Sequence, residues 1–323
     1  MLFSFLLIAL GVAGVSFGAN YLVAGGSSIA KRFNISDLII GLTIVALGTS
    51  APELIVGLTA AWNGKAEVAL GNVVGSNIAN ICLILGICAI ITPMYLRRNT
   101  VRSEIPLVLL ASFVCLFLSQ DQLIDGAATS SVTRIDGLVL LSFFLVYMAY
   151  MFSMATTESE TQAPPTEAPA KQMPVWLAGL MVLGGIVGLA LGGDWIVRGA
   201  SEVARQFGMS EALIGLTLVS VGTSIPELAT SLVAATQRKS DIVLGNVVGS
   251  NLFNSFLILG ASSTLSPLPL GSITLTDFLV NIAASIFLLG AAFFYSPSKI
   301  TRVEGICLLL LYAGYMYYLF TKI

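Results

Sequence analysis

The chain has 323 residues, of which 56% are hydrophobic and 10% charged. At roughly 20 apolar residues per bilayer crossing, this describes a polytopic membrane protein and not a pair of soluble domains. With 15 basic residues against 17 acidic ones, no basic run longer than Arg97-Arg98 or Arg238-Lys239, and no histidine, the sequence offers no footprint for nucleic acid, and it excludes Ser-His-Asp and Cys-His catalysis, histidine zinc sites and histidine proton relays.

Ten apolar stretches are predicted to span the membrane: 3–30, 38–62, 68–92, 104–119, 135–153, 175–204, 212–235, 242–265, 275–295 and 303–320. The first starts without a basic leader and runs straight on into more apolar sequence, so it reads as a membrane helix and not as a cleaved signal peptide. The fourth, at 16 residues, is short for a perpendicular crossing. Between the fifth and sixth, Thr156 to Pro174 is rich in Pro, Thr and acidic residues and lacks periodicity, which marks a linker. The expected organisation is therefore a first five-helix half at 1–153, a linker at 154–174 and a second five-helix half at 175–323. Cys82, Cys88, Cys115 and Cys307 lie inside apolar segments without CxxC spacing and read as small core residues.

The two halves are copies. Residues 41–86 align without a gap on 215–260 at an offset of 174, with 27 identities in 46 positions. The offset also pairs Asn20 with Asp194, Phe33 with Phe207 and Ser36 with Ser210. Five spans per half is an odd number, so the second copy enters from the opposite side and the repeat is expected to be inverted, with duplicated motifs facing each other near the bilayer centre. Placing the amino terminus outside puts ten basic residues (Lys31, Arg32, Arg97, Arg98, Arg102, Lys171, Arg238, Lys239, Lys299 and Arg302) in the inner loops. Five remain outside: Lys65, Arg134, Arg198, Arg205 and Lys322. Both termini are thus expected outside and the linker in the cytoplasm.

Charge inside a membrane costs about 2.5–3.5 kcal/mol per residue on insertion scales, so a carboxylate in mid-span needs a reason. Glu53 and Glu227 are repeat-equivalent and each closes the pattern GTSxPE, at 48–53 and 222–227. Pro52 and Pro226 are expected to break their helices there, releasing the carbonyls of about Ala46 to Thr49 and Ser220 to Thr223, beside the hydroxyls of Thr49, Ser50, Thr223 and Ser224. The third and eighth spans add GNVVGSN at 71–77 and 245–251, followed by Asn80 and Asn254. Positions four apart share a helix face, which aligns Ser76 with Asn80 and Ser250 with Asn254. Packing does not account for two carboxylates beside helix-breaking prolines in both halves; it does account for Ser28, Thr43 or Asn281 alone, and Asn72, Asn77, Asn246 and Asn251 stand between the two readings. Asn20 and Asp194 are expected to make interhelical hydrogen bonds, with the lining of an access path as the alternative, and Arg198, Glu202 and Arg205 an exposed ion-pair face.

An all-oxygen set with two carboxylates suits Ca²⁺, which takes about six to eight oxygens, and Na⁺ fits the same set; Mg²⁺ gives up water reluctantly and soft metals find no accessible thiolate. One Ca²⁺ balances two carboxylates, as do two Na⁺ or two protons, and competition for one site is the physical basis of antiport.

On GTSxPE and GNxxGSN in both halves, the sequence closely resembles the sodium/calcium exchanger family of the cation/calcium antiporter superfamily, in its compact prokaryotic form. The resemblance implies an all-α integral membrane fold of ten helices in two inverted five-helix repeats, with helices two, three, seven and eight forming the ion site and helices one and six sliding as a gating pair. It implies that Glu53 and Glu227 hold Ca²⁺ with the carbonyls of Thr49 and Thr223, and that Ala46, Ser50, Glu53, Ser76, Ser220, Ser224, Glu227 and Ser250 make flanking Na⁺ sites, with Asn80 and Asn254 completing the oxygen set. The chain departs from the pattern at Asn254, where many members have Asp, and at Ser220, where many have Ala. The expected function is Ca²⁺/Na⁺ exchange by alternating access in the inner (plasma) membrane, with no cofactor and with no partner beyond the ions and the bilayer. The alternative is Ca²⁺/H⁺ exchange on the same glutamates, since burial favours protonated carboxyls. A passive channel is disfavoured by the broken, repeated helices, and an intramembrane enzyme by the lack of a nucleophile beside a base.

Overall fold

The computed structural model describes residues 2–96, 100–124, 126–161, 173–207, 220–295 and 299–322. Apart from a single turn at Asp121–Ile124, its helices are α1 (Leu2–Phe33), α2 (Asp37–Thr49), α3 (Ala51–Trp62), α4 (Ala66–Ile91), α5 (Thr100–Leu118), α6 (Arg134–Thr161), α7 (Val175–Gln206), α8 (Ser220–Thr223), α9 (Ile225–Thr236), α10 (Ser240–Leu265), α11 (Leu275–Phe293) and α12 (Arg302–Lys322). Among the described residues eight helices are long and apolar enough to cross a membrane, or nine when α2 and α3, bent by 46° at Ser50, count as one. α9 is apolar but only 12 residues long, and the first part of the seventh predicted span, 212–219, lies outside the described residues.

Most predicted limits hold to within a few residues. The fourth span is longer than expected because a π-turn at Thr100–Glu104 extends it to 19 residues, enough for a crossing. The fifth predicted helix continues through Thr161, so the first residues of the expected linker are helical; 162–172 lie outside the described residues.

The repeat recurs in the local chemistry of the turns. α1 ends on Asn34 in the left-handed region at φ 52°, with Ile35 N–H bonded to the Ala30 carbonyl at 2.9 Å. α3 and α9 end on the equivalent residues Gly64 (φ 69°) and Arg238 (φ 57°). In each case the next N–H, of Lys65 or Lys239, returns to the carbonyl of Ala60 or Ala234 at 2.8 or 2.9 Å. Two short antiparallel ladders then tie the halves together: Met94–Tyr95 pairs with Lys299–Ile300, and Ser131–Val132 with Leu268–Pro269. Each joins the loop after α4 or α10 to the loop that enters the last helix of the other half.

Burial sorts the helices into an inside and a lipid-facing outside. In their most apolar windows α10 is 94% and α4 72% buried, against 17% for α6 and α12. α4 and α10 carry the GNVVGSN motifs, so the polar motif residues lie at the centre and the uniformly apolar helices face lipid. α1 and α7 pack closely along their length. A Cβ built on Gly11 would meet the Gly192 carbonyl at 2.6 Å, on Gly18 the Gly185 carbonyl at 2.8 Å, and on Gly25 the Ala178 carbonyl at 2.8 Å. As the number rises on one helix it falls on the other, so α1 and α7 run antiparallel along a seam of small residues seven apart.

Candidate ion site

Both kinks arise from one local cause. Pro52 occupies the first turn of α3 and has no N–H to offer the Gly48 carbonyl one turn back, and Pro226 does the same to Gly222 at the start of α9. The residues in the breaks match closely: Ser50 at φ −83°, ψ 4° and Ser224 at φ −88°, ψ 5°. Of the carbonyls expected to be released, Ala46's still accepts from the Ser50 N–H at 2.9 Å and from Thr49 Oγ1 at 3.3 Å.

The glutamates that follow are each 1% exposed, and the turns that carry them meet, since Ser50, three residues before Glu53, bonds to Glu227. Two buried carboxylates on meeting turns in a low-dielectric interior repel each other and call for compensating positive charge. Hydroxyls surround them. Ser50 Oγ donates to Glu227 Oε1 at 3.1 Å, across the repeats, and Ser224 Oγ donates to Ser76 Oγ at 3.2 Å. Both carboxylate oxygens of Glu53, Glu227 Oε2, Asn80 Oδ1, Ser250 Oγ and Asn254 Oδ1 have no protein hydrogen-bond partner among the described residues. Buried oxygens are ordinarily satisfied, so a cluster of lone pairs without donors is suited to a hard cation. Among the described residues no group of three His, Cys, Asp or Glu converges, so the negative charge here comes from the glutamate pair.

The expected residues fall into three sets. Thr49, Ser50, Glu53, Ser76, Thr223, Ser224 and Glu227 form one connected centre. Asn80, Ser250 and Asn254 are buried on α4 and α10; Asn80 Nδ2 donates to Asn251 Oδ1 at 3.3 Å, and Ser250 and Asn254 hold on α10 the places that Ser76 and Asn80 hold on α4. Ala46 is buried against α10, where its Cβ lies 2.7 Å from a Cβ built on Gly249. The Ser220 side chain lies outside the described residues.

Several features were not foreseen from the sequence. α4 and α10 each carry a π-turn, at Ala79–Leu85 and Phe253–Ile258, holding Asn80 and Asn254 respectively. The extra residue per turn shifts the faces presented by the residues beyond each asparagine, which a regular 3.6-residue period does not anticipate. Asn72 and Asn246 prove to be bonded into the centre: Thr49 Oγ1 donates to Asn246 Oδ1 at 3.1 Å and Thr223 Oγ1 to Asn72 Oδ1 at 3.2 Å. Asn77 Nδ2 donates to Ser255 Oγ at 2.9 Å. Two further expectations hold in part. Asn20 is exposed and bonds mainly within its own helix, to the Ser16 carbonyl at 2.8 Å, with one long contact to Gln237. Asp194 pairs with Arg198 at 2.8 Å, one turn along α7, which takes Arg198 away from Glu202 and leaves Arg205 as that residue's ion-pair partner at 3.2 Å.

Comparison with known proteins bears on this architecture. A family model described as sodium/calcium exchanger protein matches residues 3–153 and 177–321. A protein of Alkalimonas amylolytica, provisionally named the antiporter CaxA, is 38% identical over 100% of both chains. The sodium/calcium exchanger MaX1 of Methanosarcina acetivorans is 29% identical over 98% of each, and the inner membrane protein YrbG of Escherichia coli is 33% identical over 83% of this chain and 81% of its own. A solved structure of the sodium-calcium exchanger NCX_Mj superposes with TM-score 0.83 at 31% identity, covering 98% of both chains.

Proposed function

The chain belongs to the sodium/calcium exchanger family, and from that premise we propose that it exchanges Ca²⁺ for Na⁺ across the membrane by alternating access, binding the ions between Glu53 and Glu227. The observation that carries this reading is the convergence of two buried carboxylates, one from each repeat, among oxygens without donors. Thr49, Ser50, Ser76, Asn80, Thr223, Ser224, Ser250 and Asn254 supply hydroxyl, amide or backbone oxygens, and Ala46 and Ser220 backbone carbonyls. A Ca²⁺ held by both glutamates cancels their repulsion; the ions that replace it must do the same, which makes exchange obligatory.

The architecture that fits this function has ten crossings, α2 with α3 forming the second and the segment through α8 and α9 the seventh, in two inverted halves at 1–153 and 175–323 joined by a linker at 154–174. The antiparallel packing of α1 on α7 supports the inversion. The excess of basic residues in alternate loops favours a cytoplasmic linker and outer termini, and the E. coli relative favours the inner membrane. With Asn254 neutral, two acidic groups in place of three favour electroneutral exchange of two monovalent ions per Ca²⁺. Protons on the same glutamates are the second reading of the coupling ion, favoured by the burial of both carboxyls.

Calcium-45 uptake into proteoliposomes tests the proposal. Loading with Na⁺ at uniform pH is expected to drive uptake that Glu53→Gln abolishes. Uptake driven only by a pH gradient would transfer the coupling to protons, and uptake indifferent to both gradients and to Glu53→Gln would overturn the assignment.

A further inference from the structure

Asn72 and Asn246 stand outside the expected ligand set, yet each bonds to both halves of the centre. Asn72 Nδ2 donates to the backbone carbonyl of Glu53 at 3.3 Å, in its own repeat, while its Oδ1 accepts from Thr223 of the other repeat at 3.2 Å. Asn246 mirrors this: Nδ2 donates to the Glu227 carbonyl at 3.2 Å, and Oδ1 accepts from Thr49 at 3.1 Å. The orientation of each amide follows from its partners. A backbone carbonyl can only accept, so the NH₂ must face it, and the oxygen is left to take the threonine proton. Thr49 Oγ1 also lies 3.3 Å from the Ala46 carbonyl, and the contact to Asn246 is the shorter of the two.

Resting on the ion site proposed above, we infer that Asn72 and Asn246 are positioning residues that cross-brace the two kinks, each tying the glutamate-bearing turn of one repeat to the GTS turn of the other. A carboxamide is suited to this because it presents a donor and an acceptor in one rigid plane; Asp lacks the donor and Leu lacks both. Movement of either kink is transmitted to the opposite glutamate, so the two repeats close on an ion together. The braces are unequal: Asn246 also donates to Ser231 Oγ at 2.9 Å, where the first repeat has Gly57 and no side chain to receive such a bond. Asn246 is the more firmly held and its loss is the more damaging.

The test is a set of double-mutant cycles on the full chain in proteoliposomes, read as the half-saturating Ca²⁺ concentration and, separately, the maximal exchange rate. Thr49→Val and Asn246→Ala are each expected to raise the half-saturating concentration about tenfold, and the double variant to be little worse than either. Asn72→Ala is expected to raise it about fivefold, and its combination with Thr49→Val, with which it shares no bond, to multiply to about fiftyfold. Thr49→Ser, which keeps the hydroxyl, restores wild-type affinity; a merely structural role for the side chain's bulk would not be rescued in this way. Should Asn246→Ala fail to assemble, Asn246→Leu, which keeps the branched four-atom skeleton without donor or acceptor, completes the same cycle. Equal multiplication in both cycles, or failure of Thr49→Ser to rescue, overturns the brace. Absence of exchange in the wild type would instead remove the ion site on which it rests, so the two failures are distinguishable.

Discussion

Glu53 and Glu227 were legible at once, because a carboxylate in mid-membrane is costly and a duplicated one doubly so. The roles of their neighbours were less so. Ser50 and Ser224 are equivalent in sequence and in backbone angles, but one donates to a glutamate and the other to Ser76, a difference that depends on which rotor finds which oxygen. In the proposed exchange, Asn254 is the position where the number of carboxylates bears on coupling. Asn254→Asp is expected to add a third carboxylate to the centre, raise the number of Na⁺ bound per Ca²⁺ and make flux depend on membrane potential. Measuring the reversal potential of calcium-45 flux at several Na⁺ gradients checks this; an unchanged, voltage-independent flux in the variant would show that Asn254 does not set the stoichiometry.

At the scale of elements, the proline kinks followed from the sequence while the glycine seam did not stand out, because its seven-residue spacing on α1 and α7 is meaningful only once the helices are known to face each other. The seam allows a graded test. A Cβ on Gly185 would lie 2.7 Å from the Leu22 nitrogen and 2.8 Å from the Gly18 carbonyl, both backbone atoms that cannot rotate away. Gly185→Ala is therefore expected to force the helices apart, at a cost of about 1–3 kcal/mol and a lower melting midpoint in detergent. A Cβ on Gly14 would meet its nearest neighbour at 3.4 Å, an ordinary contact, so Gly14→Ala is expected to melt close to wild type. The π-turns belong to this scale as well. Thr100–Glu104 contains one residue more than its counterpart, which is why Thr100 matches Thr274 at an offset of 174 but Ser112, bonded to Ser285 at 3.1 Å, matches it at 173.

For the whole molecule, the topology proposal gives a decisive labelling experiment. In a Cys307→Ser background, which removes the one exposed native thiol, Ala163→Cys in the linker is expected to react with a membrane-impermeant maleimide in inside-out vesicles and not in right-side-out ones. Cys82, Cys88 and Cys115 are buried and stay silent. The reverse pattern would turn the molecule over and exchange the two access routes, leaving the centre unchanged. The fold is a multi-pass helical membrane protein in which the most buried helices carry the polar motifs, the opposite of a soluble core, because here the surrounding solvent is itself apolar.

By itself the sequence determined the membrane class, the duplicated halves, the two kinks and the pair of glutamates, since each of these rests on composition, on repetition or on the local sterics of proline. Tertiary structure alone decided the crossed Asn–Thr bonds, the seam between α1 and α7, and the faces presented beyond the π-turns. These depend on which distant surface a side chain meets, and a residue's own periodicity does not reveal what lies across from it.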